Sequence, residues 1–191
     1  TNGTVSGPVN GTYTFTPDTN FNSNLGTLVT FNYLINDGQG GSVANSITRT
    51  IDPVNDAPVA TFNTPQFATE NGGNLTGQLT ATDIDLTRGE VNVNTLVYAV
   101  DGNAIDGLTI NTDGSFTFDP THQTYNYLAV DERLVVTVPY KVTDLSGTGL
   151  SSSGNFTLTI TGTNDDPVVD VNQLHTFAAA TEDTAYAISS A

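Results

Sequence analysis

The chemistry open to this sequence is set by its oxygen ligands. The 191 residues include 20 Asp and Glu, sixteen of them Asp, against 4 Lys and Arg, which gives a net charge of −16. Clusters of Asp and Asn occur at Asn55-Asp56 and again at Asn164-Asp165-Asp166. Carboxylate and amide oxygens are the ligands that Ca²⁺ prefers in proteins. The two clusters therefore predict calcium sites.

Soft ligands and nucleophiles are scarce. The chain has no cysteine, and its two histidines are His122 and His175. A disulfide, a thiolate zinc site and a histidine-rich metal site are therefore excluded, and Ca²⁺ is the one cofactor predicted. Neither histidine adjoins a nucleophile motif, and Ser151-Ser152-Ser153 lacks the pattern of a nucleophile elbow. The paired carboxylates of a glycosidase need a cleft that a sandwich of about 100 residues rarely encloses, so we predict that the chain is not an enzyme.

Two loops match known ion or phosphate motifs only in part. Residues 101–107 resemble a calcium loop, but Asp106 stands where an EF-hand has its glycine, and no Glu closes the loop. Residues 38–41 lack both the Lys-Ser/Thr of a phosphate loop and the Asp of a Gly-Gly-x-Gly-x-Asp calcium repeat. We predict two hairpin turns at residues 101–107 and a strand connection at residues 38–41.

Charge and hydropathy restrict the partners and the compartment. A net charge of −16 makes nucleic acid and anionic membrane surfaces poor partners. No apolar run approaches the roughly 18 residues of a membrane helix, and no charged-then-apolar leader opens the chain. We therefore predict a protein without membrane insertion whose own N-terminus carries no export signal.

Alternation of apolar residues with threonine is typical of strands that have one buried and one wet face. The alternating segments are residues 13–16, 47–51, 116–118 and 156–160, and longer β-branched runs occupy residues 28–35 and 134–142. The abundance of Gly, Asn and Thr favours strands and turns over helices. The predicted fold class is all-β.

Three local features refine this prediction. Pro139 lacks a backbone N–H, so its strand should be an edge strand or carry a bulge there. Asp113-Gly114 lies between two strand patterns and predicts a hairpin turn with positive φ angles. The one helical turn that we predict lies within residues 122–130.

The sequence repeats itself internally. Residues 54–59, with Asn55-Asp56, recur as residues 163–168, and both copies follow a strand rich in Thr and Ile. Other matched pairs are residues 11–15 with 114–118, 33–37 with 140–144, and 68–71 with 180–183. Self-similarity at this period indicates tandem units. We predict the later part of one repeat at 1–58, a complete repeat at 59–166 and the start of a third at 167–191.

The order of these motifs resembles that of cadherin domains, above all the bacterial cadherin-like and VCBS repeats of large secreted adhesins of the repeats-in-toxin class. The motifs that carry the resemblance are residues 55–58, 70–71, 81–85, 140–144 and 164–167. Residues 106–168 are most similar to a VCBS repeat, and residues 10–59 to a bacterial cadherin-like repeat. The resemblance implies tandem cadherin-like (Ig-like) Greek-key β-sandwiches with calcium-stiffened joints, the first and last incomplete. It also implies a secreted or cell-surface (extracellular) protein, exported by a route that does not depend on a signal peptide.

The resemblance also implies ligands for two joints. The set for the first joint is Asn55, Asp56, Asp83, Asp85 and Asp144. The set for the second joint is Glu70, Asn164, Asp165 and Asp166. Acidic residues with a looser match are Asp37, Asp131 and Glu132. The i, i+2 spacing of Asp83 and Asp85 in a loop lets both carboxylates converge on one ion.

Each of these motifs also fits a plainer interpretation. Asn-Asp-x-Pro is a common turn, Asp83 and Asp85 could cap or solvate a loop, and an acidic pair in so acidic a chain is often only a surface feature. The ordered combination favours calcium at the first joint. An alternative function is a carbohydrate- or peptide-binding module in which exposed aromatic residues such as Tyr125 and Tyr127 hold the ligand.

The sequence thus predicts an extender of a surface adhesin, whose partners are the neighbouring repeats and, through another domain, a surface ligand or glycan. A further expectation concerns self-association. If residues 1–58 lack opening strands, apolar faces around Tyr13, Phe15, Phe31 and Tyr33 are uncovered. Residues 168–191 of a second molecule could supply the missing strands in a head-to-tail contact.

Overall fold

The computed structural model describes residues 2–23, 26, 28–88, 95–145, 149–167 and 182–183. We call residues 2–52 the upstream segment and residues 55–161 the central unit. The strands are β1 (Gly3–Val9), β2 (Thr12–Pro17), β3 (Val29–Asn36), β4 (Ser42–Arg49), β5 (Val59–Ala60), β6 (Gln66–Thr69), β7 (Leu75–Gln78), β8 (Ala81–Thr82), β9 (Leu96–Val100), β10 (Leu108–Ile110), β11 (Ser115–Phe118), β12 (Arg133–Asp144) and β13 (Ser151–Thr161). The all-β prediction is confirmed. The start of the predicted third repeat, including His175, lies almost entirely outside the described residues.

Two sheets form the central unit. One has the strand order β6-β13-β12-β9, in which β6 runs parallel to β13 and the other neighbours are antiparallel. The other has the order β10-β11-β7 and is antiparallel throughout, while β5 and β8 form a separate short pair. Phe116 of β11 packs on Phe156 of β13 with ring centroids 5.2 Å apart, so the sheets face each other across an aromatic core.

The alternating pattern decides which face of each strand enters this core. Phe116 and Phe118 of β11 are 1% and 0% exposed, and Phe156, Leu158 and Ile160 of β13 are equally buried. The threonines between them point to the opposite face of their sheet, because successive side chains in a strand alternate. Each fully buried large side chain contributes about 1.5–3 kcal/mol of hydrophobic stabilisation. The predicted core strands are confirmed.

Pro139 has a partner strand on one side only. It pairs with Asn155 of β13, while the ladder between β12 and β9 begins one residue later, at Tyr140 and Val100. The missing N–H of a proline is tolerated in such a position. The prediction of an edge strand or a bulge is nevertheless wrong, because β12 lies between β13 and β9 and its register with β13 continues through Pro139 without a bulge.

The predicted turn at Asp113-Gly114 is a hairpin between β10 and β11. Gly114 has a φ of 85°, and its N–H donates to the carbonyl of Asn111 at 2.9 Å. The Asp113 carboxylate accepts from the N–H and the hydroxyl of Ser115 at 2.9 and 2.7 Å. These two hydrogen bonds lower the pKa of Asp113. The loop has four residues, so it is wider than the tight turn that the sequence suggested.

Among the residues that the structure describes, helical structure occurs in two places, of which the sequence predicted one. A short 3-10 helix, Gln123–Tyr125, falls within the predicted segment 122–130. The helix α1 (Ile84–Arg88) was not predicted. It begins directly after Asp83, whose Oδ1 accepts from the N–H of Asp85 at 2.9 Å and so caps the first turn. Five residues are too few to show a helical period, which is why the sequence pattern did not reveal it.

The upstream segment consists of two hairpins. Strands β1 and β2 form one antiparallel pair, and β3 and β4 form the other. Phe15 and Phe31 join the hairpins in an edge-to-face contact with centroids 5.0 Å apart. Tyr13 remains 63% exposed and Tyr33 39% exposed. The apolar faces expected around these aromatic residues are therefore largely accessible in the described structure.

Candidate metal centre

Three buried carboxylates lie at the end of the central unit that adjoins the upstream segment. Asp83, Asp85 and Asp144 are 3%, 4% and 0% exposed. Asp83 follows β8, Asp85 lies in the first turn of α1, and Asp144 is the last residue of β12. Burying a charge is costly unless it is paired, hydrogen-bonded or bound to a metal. This group of carboxylates therefore requires a compensating partner.

The linker residues connect to these carboxylates by hydrogen bonds. The Nδ2 of Asn55 donates to Oδ2 of Asp144 at 3.1 Å. The backbone N–H of Asp56 donates to Oδ2 of Asp85 at 2.8 Å. Asn55 and Asp56 are themselves half-buried. The five residues predicted for the first joint are thus brought to one end of the central unit, and contacts along the backbone and side chains link them.

Asp83 is the least satisfied member of the group. Its Oδ1 caps α1, but its Oδ2 is buried and has no hydrogen-bond partner. Burial raises the pKa of the Asp83 carboxyl, and the negative charges of Asp85 and Asp144 raise it further, against the opposing hydrogen bond from Asp85. The plainer interpretation of Asp83 as a helix cap therefore holds for one oxygen and leaves the other without a role.

We tested this arrangement against calcium. Within the described part of the chain, no three or more His, Asp or Glu side chains, as placed, stand close enough to hold one ion. The donor chemistry nevertheless fits Ca²⁺, because every candidate ligand offers carboxylate or amide oxygen. The unpartnered buried Oδ2 of Asp83 also fits, since it needs a cation that protein donors do not supply. The site therefore matches calcium in ligand type, and its side chains would have to move closer together to hold one ion.

Glu70 is the buried carboxylate at the opposite end of the central unit. It is 1% exposed, its Oε2 accepts from the N–H of Thr163 at 2.9 Å, and its Oε1 is buried without a partner. Asn164, Asp165 and Asp166 follow in the exposed linker. The Nδ2 of Asn71 donates to Oδ1 of Asp165 at 3.3 Å. The second predicted set thus also collects at one joint, around a single buried carboxylate.

The loosely matched acidic residues lie in different places. Asp131 and Glu132 adjoin the second joint through backbone hydrogen bonds to Gly162. The N–H of Asp131 donates to the carbonyl of Gly162 at 3.1 Å, and the N–H of Gly162 donates to the carbonyl of Glu132 at 2.8 Å. The Oε2 of Glu132 accepts from Ala129 N–H. Asp37 instead closes its own loop by accepting from the N–H groups of Gln39 and Gly41. Asp37 is exposed and not joined to either predicted set.

Two cavities at the first joint contain residues that the sequence prediction missed. One, of ≈ 330 Å³, is lined by Asn20 together with Asp56 and Asp83. The other, of ≈ 240 Å³, is lined by Asn20, Asn22 and Asp52 on the upstream side and by Asp56 and Asp85 on the other. Asparagines are so frequent in this sequence that nothing distinguished Asn20 and Asn22. Only their position after β2, which matches the loop after β11, could have marked them.

The tyrosines of the alternative binding module do not form a platform. Tyr125 is 3% exposed, and its hydroxyl donates to the carbonyl of Asp106 at 2.7 Å. Its ring packs edge-to-face on Phe118. Tyr127 is 65% exposed. Because Tyr125 belongs to the core, the aromatic pair does not provide a stacking surface for a ligand.

Comparison with known proteins agrees with this architecture. Residues 1–52 match the family described as a cadherin-like domain, and residues 55–161 match the family described as a bacterial Ig domain. Both are families of adhesion-type structural modules, which are typically non-enzymatic and usually extracellular. The second match covers more than half of the chain, and the chain belongs to the bacterial Ig domain family. The predicted cadherin-like resemblance is confirmed.

Solved structures of cadherins share the fold. The EC1-2 structure of human protocadherin-24 has a TM-score of 0.53 at 17% identity, over 86% of this chain and 82% of that one. Domains 1–5 of protocadherin gamma B2 have a TM-score of 0.50 at 15% identity, over 87% of this chain and 32% of that one. The chain spans 26% of the protocadherin GammaB4 extracellular domain. At these identities the likeness shows the Ig-like β-sandwich fold.

No curated protein matches the chain. The helices in the described part of the chain are all too short or too polar to span a bilayer.

Proposed function

We propose that the chain is a calcium-stiffened extender of a secreted or cell-surface bacterial adhesin of the repeats-in-toxin class, which supports cell adhesion or biofilm attachment. Its units span residues 1–58, 59–166 and 167–191, and each joint carries its own ligand set. The work of the segment is mechanical, because it holds a binding tip away from the cell. Its partners are the neighbouring repeats, and another domain contacts the surface ligand or glycan.

The observation that carries this proposal is the connection between the linker and the buried carboxylates. Asn55 and Asp56 contact Asp144 and Asp85, and Oδ2 of Asp83 remains buried without a partner. Calcium bound there would neutralise mutually repelling carboxylates and join the linker to the central unit. Rotation of the Asn55 amide would turn its oxygen, rather than its nitrogen, toward such an ion.

Stiffness follows from the position of the ligands. Without calcium, the acidic groups at the joint repel one another over distances within a Debye length of about 8–10 Å, and the units can swing. Ligands shared between the linker and the central unit hold the joint in one geometry. Extracellular calcium modules bind at about 10⁻⁴–10⁻³ M, so we expect calcium to be bound outside the cell and released in a low-calcium cytoplasm.

The binding-module alternative has weaker support. It predicts an exposed aromatic platform that includes Tyr125 and Tyr127, whereas Tyr125 is buried and only Tyr127 of the pair is exposed. The spacer function, by contrast, needs no such platform. We therefore retain the extender as the proposed function of this segment.

A calcium titration followed by calorimetry and thermal melting tests the proposal. An ion that binds only the folded state stabilises it by about 1.4 kcal/mol at ten times Kd. Chelation should lower the melting temperature of the chain, and the double variant Asp83→Ala, Asp85→Ala should lose most of the calcium response. A matched control is Asp113→Ala, because the exposed carboxylate of Asp113 accepts hydrogen bonds from Ser115 in a hairpin turn and belongs to neither predicted ligand set. Identical melts with and without chelator would refute calcium binding.

A further inference from the structure

The upstream side of the first joint is formed by a fixed loop. Phe21 N–H donates to the carbonyl of Asp18 at 3.0 Å, and Ser23 N–H donates to the carbonyl of Ile51 at 2.8 Å. Ile51 N–H in turn donates to Oγ of Ser23 at 2.9 Å. The loop that carries Asn20 is therefore tied to the end of the upstream segment, directly before the linker.

Asn20 has a left-handed backbone conformation within this loop. Its φ is 58°, a region that non-glycine residues rarely adopt and that Asn tolerates better than most. Such conformations occur preferentially at functional sites, where the surrounding structure holds them in place. Asn20 is exposed and lines both cavities at the first joint.

The internal repeat gives independent support for the position of the loop. Residues 11–15 match residues 114–118, so the loop after β2 corresponds to the loop after β11. In the central unit, the carbonyl of Pro120 in that loop accepts from the N–H of Asn71 at 3.2 Å. Asn71 is next to Glu70, the buried carboxylate of the second joint. The loop after this hairpin thus borders the outgoing joint of a unit.

The wall of the cavities that belongs to the central unit contains a buried carboxylate oxygen without a hydrogen-bond donor. Asp83 lines the larger cavity together with Asn20, and its buried Oδ2 has no partner. Asp56 and Asp85 line the smaller cavity opposite Asn22. A cation between these walls would have carboxylates on the downstream side and amide oxygens on the upstream side, where the smaller cavity also has the carboxylate of Asp52. Carboxylate and amide oxygens are both calcium ligands.

We propose that Asn20 and Asn22 are the upstream ligands of the first joint and that they bridge the upstream segment to a calcium ion held by the central unit. This inference rests on the proposed function. The two amides extend the ligand set to the upstream segment without adding negative charge. The affinity of a calcium site rises with the number of charged ligands. The two asparagines therefore keep the joint weak and reversible while still coupling calcium to its geometry.

Calcium titration of the full chain by calorimetry, with Asn20 variants, tests this inference. Asn20→Asp adds a charge with almost no change in shape and should tighten binding on the order of tenfold. Asn20→Gly removes the amide, tolerates the positive φ, and should weaken binding several-fold. The matched controls are Asn10→Asp and Asn10→Gly, because Asn10 has a φ of 51° in the exposed turn between β1 and β2. The Asn10 variants should leave the affinity unchanged.

The outcomes separate this inference from the proposed function. If Asp83→Ala abolishes calcium binding but the Asn20 and Asn10 variants behave alike, the upstream ligands are wrong and the downstream site stands. If Asp83→Ala leaves binding intact, the proposed site and its upstream ligands are both overturned. Circular dichroism of every variant excludes loss of folding as the cause of a lowered affinity, and Asn20→Asp keeps the test valid because its expected effect is a gain.

Discussion

At the scale of single residues, the central feature is a carboxylate whose burial disfavours its negative charge. Asp83 is buried, its second oxygen has no hydrogen-bond donor, and two further carboxylates act on it. In the metal-free protein this charge opposes folding, because the unfolded chain would solvate it fully. Bound calcium would convert the same oxygen from a source of instability into a ligand.

The raised pKa of Asp83 gives a pH dependence with a definite sign. A carboxyl whose pKa is higher in the folded than in the unfolded state contributes stability that is fully present below the unfolded pKa, near 3.8, and is lost as the pH rises through the folded pKa. In chelator, Asp83→Asn should therefore melt above the wild type at pH 7. The difference should shrink toward pH 4. Thermal melts of both proteins across this range make the measurement.

The control for this experiment is Asp119→Asn. Hydrogen bonds from Thr121 lower the pKa of Asp119, so its contribution is present above the unfolded pKa and is lost as the pH falls. Its variant should show no gain in melting temperature at pH 7. A pH-independent difference between wild type and Asp83→Asn would contradict the burial of an ionised Asp83.

At the scale of elements, the sequence predicted the strands, because a residue pattern repeats along each of them. It missed site residues whose position depends on contacts between strands. Thr alternation identified β11 and β13 because each strand has one buried and one polar face. The linker cluster at Asn55 and Asp56 was visible as a composition signal. Asp144 was implied only by resemblance, since the fold alone brings the end of β12 to the linker. The amides of Asn20 and Asn22 carry no charge and gave no signal.

The hydroxyl of Tyr140 fastens the start of the central unit to its large sheet. It donates to the carbonyl of Phe62 and accepts from the N–H of the same residue, both at 2.9 Å. Tyr140→Phe leaves the carbonyl of Phe62 without its donor, while the N–H of Phe62 keeps a hydrogen bond to the carbonyl of Thr80 at 3.2 Å. The unpaired carbonyl should lower the free energy of unfolding by about 1–3 kcal/mol. Chemical denaturation in calcium makes the measurement.

Tyr125→Phe is the matched control for this prediction. The hydroxyl of Tyr125 makes one hydrogen bond, to the carbonyl of Asp106, and its ring is equally buried. Its loss should cost less than that of Tyr140. Equal effects of the two substitutions would show that the pair of hydrogen bonds between Tyr140 and Phe62 has no special role.

At the scale of the whole molecule, charge and accessible apolar surface oppose each other. A net charge of −16 favours separated, soluble molecules. The hairpins of the upstream segment nevertheless expose Tyr13, Leu34 and Val43, among other apolar side chains. Exposed apolar side chains beside unpaired strand edges promote association. Calcium and salt should shift the balance by weakening repulsion.

We therefore predict concentration-dependent self-association of the chain, stronger in 0.5 M salt than in about 0.01 M salt, where the Debye length is about 30 Å. Residues 168–191 should contribute opening strands to the upstream segment of a second molecule. Deleting them should weaken the association. Sedimentation equilibrium tests this, and a monomer at every concentration, or association unaffected by the deletion, would count against it.

The central claim is that calcium converts the first joint from a hinge into a fixed connection. The chain has no cysteine, so Ser42→Cys and Thr109→Cys place spin labels on exposed strands of the two segments without side reactions. Pulsed electron resonance should give a broad distance distribution in chelator and a narrow one in millimolar calcium, and Asp83→Ala with Asp85→Ala should keep it broad in both. A distribution of equal width with and without calcium, while calorimetry shows the ion bound, would contradict the account.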